Sequence, residues 1–287
     1  MALFRHIDVV QRFQSAQFCM CNFNHNQMKP MDILNDKTFC YKLRQDFLKD
    51  GYILFRNFLQ QDEIELVNNK IQEFIKTKVS DMPAKEVYYE DIENKDTLKQ
   101  LQKLFVYDPF FFDMMFGSRF QKLASILLDD NVEGKNMQYF NKPSKIGKPT
   151  PPHQDGYYFM LTPNEAVTMW MPLEPVDEEN GCVRYVKGSH RYGIRSHGRT
   201  GTLGFSQGIL DFGCPNDVAN EVFFPTNPGD LLVHHSLTIH RADGNTSERT
   251  RKALGFIYYA EKAKEDKAAH EAYAKNLAKE LAEDKKI

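Results

Sequence analysis

An imidazole and a carboxylate stand two residues apart in the segment Pro151-Pro152-His153-Gln154-Asp155-Gly156. On an extended segment, side chains at this spacing lie on the same side of the chain. Together with a second, distant histidine they would fill one face of an octahedral ferrous ion and leave three adjacent positions open. The chain offers such a histidine at His240, followed by an arginine at Arg251. His153, Asp155 and His240 are therefore candidate ligands of an iron site.

A histidine and an aspartate at this spacing are weak evidence alone, because the chain's nine histidines give roughly one such triplet by chance. Here the triplet follows a proline-rich turn at 148–152 and precedes three aromatic residues at 157–159. Proline before a strand cannot join the hydrogen-bond ladder, so we expect His153 at the entrance of a strand over 153–159, at the rim of a barrel. The alternative is a surface turn with an exposed histidine and aspartate.

Three histidines compete for the distal position in the segment 231–240. His234 and His235 lie inside a predicted strand and face opposite ways, so we expect at least one of them to be structural. His240 follows the strand and a short turn. It is therefore the preferred candidate.

Arg251 begins another predicted strand and shares a face with the small residues Ala253 and Gly255. That face has room for a ligand carboxylate, which the planar guanidinium matches in a bidentate fashion. Arg249 lies two residues earlier, so its side chain would face the same way, and it is the competing candidate.

The rest of the chain supplies the elements that must position these residues. Helical periodicity predicts helices at about 39–49, 62–78 and 119–128, and a strand is expected at 52–55. After Asn136, runs rich in Val, Tyr, Phe and Trp alternate with turns containing Gly and Pro. They predict strands at 136–142, 153–159, 166–173, 182–186, 229–235 and 251–259. Few helix-length patterns separate them, which favours an antiparallel sandwich or barrel over a parallel sheet.

Three segments are expected along the chain. Residues 1–38 have weak periodicity and form an N-terminal arm, residues 39–260 form a single domain with N-terminal helices, and residues 261–287 form a charged C-terminal helix. This last segment is rich in Ala, Lys and Glu, with opposite charges four residues apart, as is typical of a helix with a solvated face.

Composition limits the partners and the compartment. The formal charge of −2 gives no general attraction to nucleic acid or to an anionic membrane, and no apolar run approaches the roughly 20 residues of a membrane span. Five cysteines without a C-x-x-C pair indicate a reducing compartment rather than a disulfide framework. No signal-peptide pattern opens the chain, so we expect a cytoplasmic protein.

Several motifs, taken in order and with their spacing, resemble the phytanoyl-CoA dioxygenase family of Fe(II)/2-oxoglutarate-dependent oxygenases. The resemblance covers residues from about 45 to 258. The matching residues are Asp50-Gly51-Tyr52-Ile53, Met137-Gln138, Lys142-Pro143, His153-Gln154-Asp155, Trp170, Glu179-Asn180-Gly181-Cys182, Gly188-Ser189-His190, Pro228-Gly229-Asp230, His240, Asn245 and Arg251.

The resemblance implies a mainly β fold, a double-stranded β-helix (jelly-roll, cupin-like) with flanking helices. It implies Fe(II) and 2-oxoglutarate as cofactor and cosubstrate, with Arg251 on the C5 carboxylate and with Gln138 and Trp170 near the cosubstrate. A buried tryptophan on a core strand also needs no functional reason. Ala242 departs from the family, many of whose members carry a serine there that binds the cosubstrate.

The implied activity is a dioxygenase that hydroxylates a small molecule and releases succinate and CO2. Asp155 favours hydroxylation over halogenation, because related halogenases have a small residue in its place. Two alternatives remain: a non-catalytic jelly-roll that binds or senses a small molecule, and a cupin-like metal enzyme that does not use 2-oxoglutarate. The oligomeric state stays open.

The basic segment 182–200 also has two interpretations. It contains five lysines and arginines and no acid. It is either a rim that recognises an anionic substrate group or a solvated loop that pairs partly with the acids at 177–179.

Overall fold

The computed structural model describes residues 33–283, without the side chains of residues 278 and 280–283. Its helices are α1 (Lys37–Asp50), α2 (Gln61–Thr77), α3 (Leu104–Tyr107), α4 (Pro109–Met115), α5 (Arg119–Leu128), α6 (Asp155–Phe159), α7 (Pro215–Asn220) and α8 (Lys267–Glu283). Its strands are β1 (Tyr52–Phe55), β2 (Val87–Tyr89), β3 (Leu98–Leu101), β4 (Val132–Lys142), β5 (Thr150–His153), β6 (Leu161–Thr162), β7 (Ala166–Pro172), β8 (Val183–Val186), β9 (His197–Thr202), β10 (Phe205–Ile209), β11 (Glu221–Phe224), β12 (Leu231–His235), β13 (His240–Ala242), β14 (Arg251–Ala260) and β15 (Lys264–Glu265).

Two antiparallel sheets form the core of the molecule. The large sheet has the strand order β1-β12-β7-β14-β4-β3-β2, and the small sheet has the order β11-β8-β13-β5. Strands β9 and β10 form a separate hairpin, and the short β6 pairs with β15. The predicted mainly β jelly-roll with flanking helices is confirmed.

The central strands of the large sheet are buried on both faces. On β7, Met169 packs in the main apolar core with the helices, whereas Trp170 packs between the two sheets. On β12, Val233 and Leu232 divide in the same way. Because side chains alternate along a strand, one face of this sheet builds the helix-covered core and the other faces the interior of the jelly-roll.

Most of the predicted helices and strands are present, because the hydrophobic periodicity that predicts them is a local property of the sequence. Helices α1, α2 and α5 begin and end within two residues of the predicted limits. The sequence did not predict the β9–β10 hairpin, strands β2, β3, β6, β11, β13 and β15, or helices α3, α4 and α7. The first 32 residues of the predicted arm lie outside the described residues, whereas Ile33 and Leu34 are buried in the core.

The predicted strand over 153–159 is wrong. Strand β5 ends at His153, and a short helix begins at Asp155. Gln154 between them is fully buried, and its side chain donates to the carbonyls of Gly193 and Leu237. These contacts come from distant segments, so the local aromatic pattern could not reveal the turn.

The C-terminal helix begins at Lys267 rather than at 261, after the short strand β15. Among residues 33–283, no helix is both long enough and apolar enough to cross a bilayer.

Gly229 forms the turn that leads into β12. Its φ is +94°, and a Cβ at this position would lie 2.7 Å from the Leu59 carbonyl oxygen and 2.8 Å from Cδ1 of Ile64. Both the backbone conformation and the close approach therefore require glycine.

We expect Gly229→Ala to lower the free energy of unfolding by about 2 kcal/mol or more, of which the left-handed backbone accounts for roughly 1 kcal/mol and crowding for the rest. Gly213 is the matched control, because its φ is +99° but nothing lies within 4 Å of the added Cβ. Urea denaturation measures both variants, and equal losses would contradict the role of the close approach.

Candidate active site

His153, Asp155 and His240 converge between the two sheets. His153 ends β5 and is the cross-strand partner of His240, which begins β13. Nε2 of His153 lies 3.4 Å, and Nε2 of His240 lies 3.7 Å, from Oδ1 of Asp155. One ligand atom from each residue lies within 4.8 Å of the other two. The structure therefore brings together the three side chains that the sequence predicts as metal ligands.

Backbone carbonyls determine which nitrogen of each imidazole is protonated. Nδ1 of His153 lies 2.7 Å from the Pro151 carbonyl oxygen, and Nδ1 of His240 lies 3.0 Å from that of Thr238. A carbonyl oxygen can only accept, so Nδ1 carries the proton in both rings and Nε2 presents a lone pair. Burial lowers the pKa of His240 well below its usual value, which keeps this imidazole neutral.

Asp155 is ionised at this site. Burial by itself would raise the pKa of its carboxyl group, but the neighbouring imidazoles of His240, His153 and His234, of which His234 lies 3.0 Å from Oδ2, outweigh burial and hold the pKa well below its usual range.

The donor set fits a divalent cation. Two bare imidazole nitrogens face one carboxylate oxygen without a proton between them, so they repel one another unless a cation lies among them. Two imidazoles and one carboxylate suit Fe(II).

Arg251 lies on β14 in the same cavity and is only 4 % exposed. Its guanidinium lies 5.2 Å from the ring centre of Trp170, and its Nε has no hydrogen-bond partner. Within the described residues, no carboxylate lies in ion-pair distance of it. Burial lowers its pKa to about 10, so it remains charged at neutral pH. A buried cation without a counter-charge is suited to an anionic ligand.

The competing Arg249 lies at the surface. Its guanidinium donates to Asp177 at 2.6 Å, with Glu179 at 3.6 Å. Its charge is already compensated, and it does not line the cavity.

Gln138 and Trp170 both line the cavity, as does Ala242. Gly255 is the cross-strand partner of both Gln138 and Trp170, and a Cβ on it would lie 2.7 Å from the Phe140 ring. The Phe140 ring thus lies over Gly255, where a larger side chain would collide with it. The contact of Gln138 and Trp170 with a cosubstrate stays a prediction.

Sequence reasoning missed Lys142. It is the cross-strand partner of Arg251, is buried, and donates to the carbonyl oxygens of Lys148 and Asp243. Its position in the Lys142-Pro143 motif was visible, but its pairing with Arg251 depends on the strand register.

The cavity has a volume of about 600 Å³ and extends from the three ligands to a mouth between β2, β10 and α8. Helix α8 contributes His270, Tyr273, Ala274 and Leu277 to its lining. The Tyr273 hydroxyl lies 2.5 Å from Oγ of Ser206 on β10. The helix that the sequence predicts to have a solvated face therefore covers the cavity mouth with its other face.

The basic segment 182–200 does not line the cavity with its charged side chains. Arg184 pairs with Glu178 and Asp243, and Arg195 pairs with Asp217. This geometry favours the interpretation of paired surface charges over that of a substrate rim.

The sequence profile of the phytanoyl-CoA dioxygenase (PhyH) family matches residues 47–253. A phytanoyl-CoA dioxygenase domain-containing protein 1 homolog from Caenorhabditis briggsae is 25% identical over 74% of this chain and 88% of that protein. A probable phytanoyl-CoA dioxygenase from Caenorhabditis elegans is 27% identical over 75% and 73%. The peroxisomal phytanoyl-CoA dioxygenase of Mus musculus is 24% identical over 77% and 68%.

Solved structures share the fold. The epimerase SnoN in complex with Fe3+, alpha ketoglutarate and nogalamycin RO superposes with a TM-score of 0.66 at 20% identity, over 80% of this chain and 87% of that chain. EctD from S. alaskensis with 2-oxoglutarate and 5-hydroxyectoine gives a TM-score of 0.64 at 18% identity, over 76% and 75%.

Proposed function

The chain belongs to the phytanoyl-CoA dioxygenase family, and we propose that it hydroxylates a small molecule with an apolar body and an anionic group. It is a dioxygenase that uses Fe(II) and 2-oxoglutarate and releases succinate and CO2. One observation carries the proposal: a single cavity holds both the unprotonated donor set and the unpaired guanidinium of Arg251.

Each residue has a defined task in this proposal. His153, Asp155 and His240 would hold the metal, and Arg251, with Trp170 beside it, would bind the far carboxylate of 2-oxoglutarate. When bound, Fe(II), 2-oxoglutarate and oxygen together supply the oxidising power that converts a substrate C–H bond into C–OH. The protein supplies orientation and a dry cavity, and no separate general base is needed.

Charge in the cavity supports an anionic substrate. Among the described residues, eight cationic side chains and four carboxylates line it, although the whole chain has a formal charge of −2. Carboxylates pair with five of these cations: Glu90 with Lys99 and Lys148, Glu86 with Lys103, Glu133 with Lys135 and Glu221 with Arg241. The surplus therefore lies at Lys85, Lys142 and Arg251. The cations are Lys85, Lys99, Lys103, Lys135, Lys142, Lys148, Arg241 and Arg251, and the carboxylates are Glu86, Glu90, Asp155 and Glu265.

Apolar walls support an apolar substrate body. Aromatic and aliphatic side chains line the same cavity as the three ligands, so a chain or ring lying along them would present its C–H bonds to the metal. They include Phe140, Tyr158, Phe159, Val183, Phe205, Ile257, Tyr259, Tyr273 and Leu277.

We expect Arg251→Gln to weaken 2-oxoglutarate binding roughly 30-fold to 1000-fold, because the substitution leaves a buried carboxylate without its counter-charge. Anaerobic titration of the metal-loaded protein with 2-oxoglutarate measures the change. Arg249→Gln is the matched control and should bind as the wild type does. Equal affinities of the two variants for 2-oxoglutarate would show that Arg251 does not bind it.

Charge reversal at the cavity mouth tests the anionic substrate. Lys85→Glu combined with Lys148→Glu should raise KM for an acyl-CoA several-fold with little change in kcat, and added salt should reduce the difference. Lys145→Glu is the control, because Lys145 is exposed in the same loop, pairs with Glu248, and does not line the cavity.

Substrate-stimulated succinate release is the assay for the preference for an anionic substrate. The compounds compared are phytanoyl-CoA, a free fatty acid and the methyl ester of that acid. Stimulation by the neutral ester as strong as that by the anionic compounds would contradict the proposal.

We also propose a cytoplasmic location. Cys40, Cys182 and Cys214 are free thiols, which is expected in a reducing compartment. The mouse relative carries the word peroxisomal in its name. A fluorescent fusion that co-localises with a peroxisomal marker would therefore contradict the cytoplasmic assignment.

A further inference from the structure

The second oxygen of Asp155 is bound from the large sheet. Oδ2 accepts hydrogen bonds from Oγ1 of Thr168 at 2.6 Å and from Nε2 of His234 at 3.0 Å. Thr168 on β7 and His234 on β12 are cross-strand partners, so their side chains lie side by side on the interior face of the sheet. Both are buried. The carboxylate is thus held by one sheet on Oδ2 while its Oδ1 faces the two histidines of the other.

Tyr185 binds the opposite side of the His234 ring. Its hydroxyl lies 2.9 Å from Nδ1 of His234, and its ring stacks on Tyr52 at 5.0 Å with an interplanar angle of 11°. An ionised carboxylate only accepts, so Nε2 of His234 carries the proton that reaches Asp155. In a neutral ring Nδ1 is then bare, and the Tyr185 hydroxyl donates to it.

We propose that His234, oriented by Tyr185, is a positioning residue for Asp155. With Thr168 it occupies Oδ2, so that the carboxylate offers the metal Oδ1 alone. A carboxylate that chelated with both oxygens would use two coordination positions. The inference rests on the proposed function, since it takes Asp155 as a metal ligand.

His235 shows that this role is specific to its neighbour. Its side chain faces the other way, where Nδ1 accepts from the Leu237 amide and Nε2 lies 3.8 Å from Glu165. It packs beside the Phe47 ring and does not line the cavity. The two adjacent buried histidines therefore form a natural matched pair.

The test measures Mn(II) affinity of the full chain by titration calorimetry. His234→Phe keeps a ring but removes the donor, and we expect Mn(II) to bind about 10-fold to 100-fold more weakly. His234→Gln retains an N–H donor and should recover most of that loss, which a merely structural role would not predict. His235→Phe is the control and should change the affinity by less than about 3-fold. Urea denaturation reports whether each variant is folded.

Two smaller changes keep the test decisive if His234→Phe does not fold. Tyr185→Phe and Thr168→Val each remove one hydroxyl group, and each should weaken Mn(II) binding by several-fold. Wild-type affinity in both would overturn the inference, as would equal losses in His234→Phe and His235→Phe or a failure of His234→Gln to recover binding.

Asp155→Ala separates this inference from the proposed function. If the wild type binds Mn(II) no better than Asp155→Ala, the ligand set itself is wrong and the proposed function fails. If Asp155→Ala loses binding while His234→Phe retains it, only the positioning role is wrong.

Discussion

The carboxylate of Asp155, whose side chain is 14 % exposed, links the two sheets of the jelly-roll. An ionised group removed from water needs hydrogen bonds or opposite charge around it, because its desolvation is costly. Here the small sheet places His153 and His240 near one oxygen, and the large sheet binds the other through Thr168 and His234. These contacts with Asp155 form only if the distance between the sheets, the strand registers and the turn after β5 are all correct.

Because side chains alternate along a strand, a single strand can contribute both to the stability of the core and to the chemistry of the cavity. On β7, Met169 and Met171 pack in the helix-covered core while Thr168 and Trp170 face the cavity. On β12, Val233 packs in that core while His234 faces the cavity. The helix-covered core therefore holds the strands rigid, and this rigidity positions polar groups on the opposite face within hydrogen-bond distance.

Lys142 and Arg251 are adjacent buried cations with different compensation. Burial lowers the pKa of Lys142 well below its usual value, and two backbone carbonyls accept from its ammonium group. Arg251 has no such partner at Nε, and an aromatic ring lies against its guanidinium. A cation left uncompensated by the protein gains most from an anionic ligand, and this favours the proposal that Arg251 rather than its neighbour binds one.

Residue types and spacing in the sequence were sufficient to indicate the fold class, the main helices and the three candidate ligands. Helical periodicity and the His153-x-Asp155 spacing are local properties, so they could be read directly. The tertiary structure alone decided that a helix begins at Asp155, that α8 covers the cavity, and that His234 rather than His235 faces Asp155. These outcomes depend on strand register and on contacts such as those of Gln154 with Gly193 and Leu237. The alternation of side chains along a strand shows only that His234 and His235 face opposite ways. Packing against the second sheet determines which of the two faces inward.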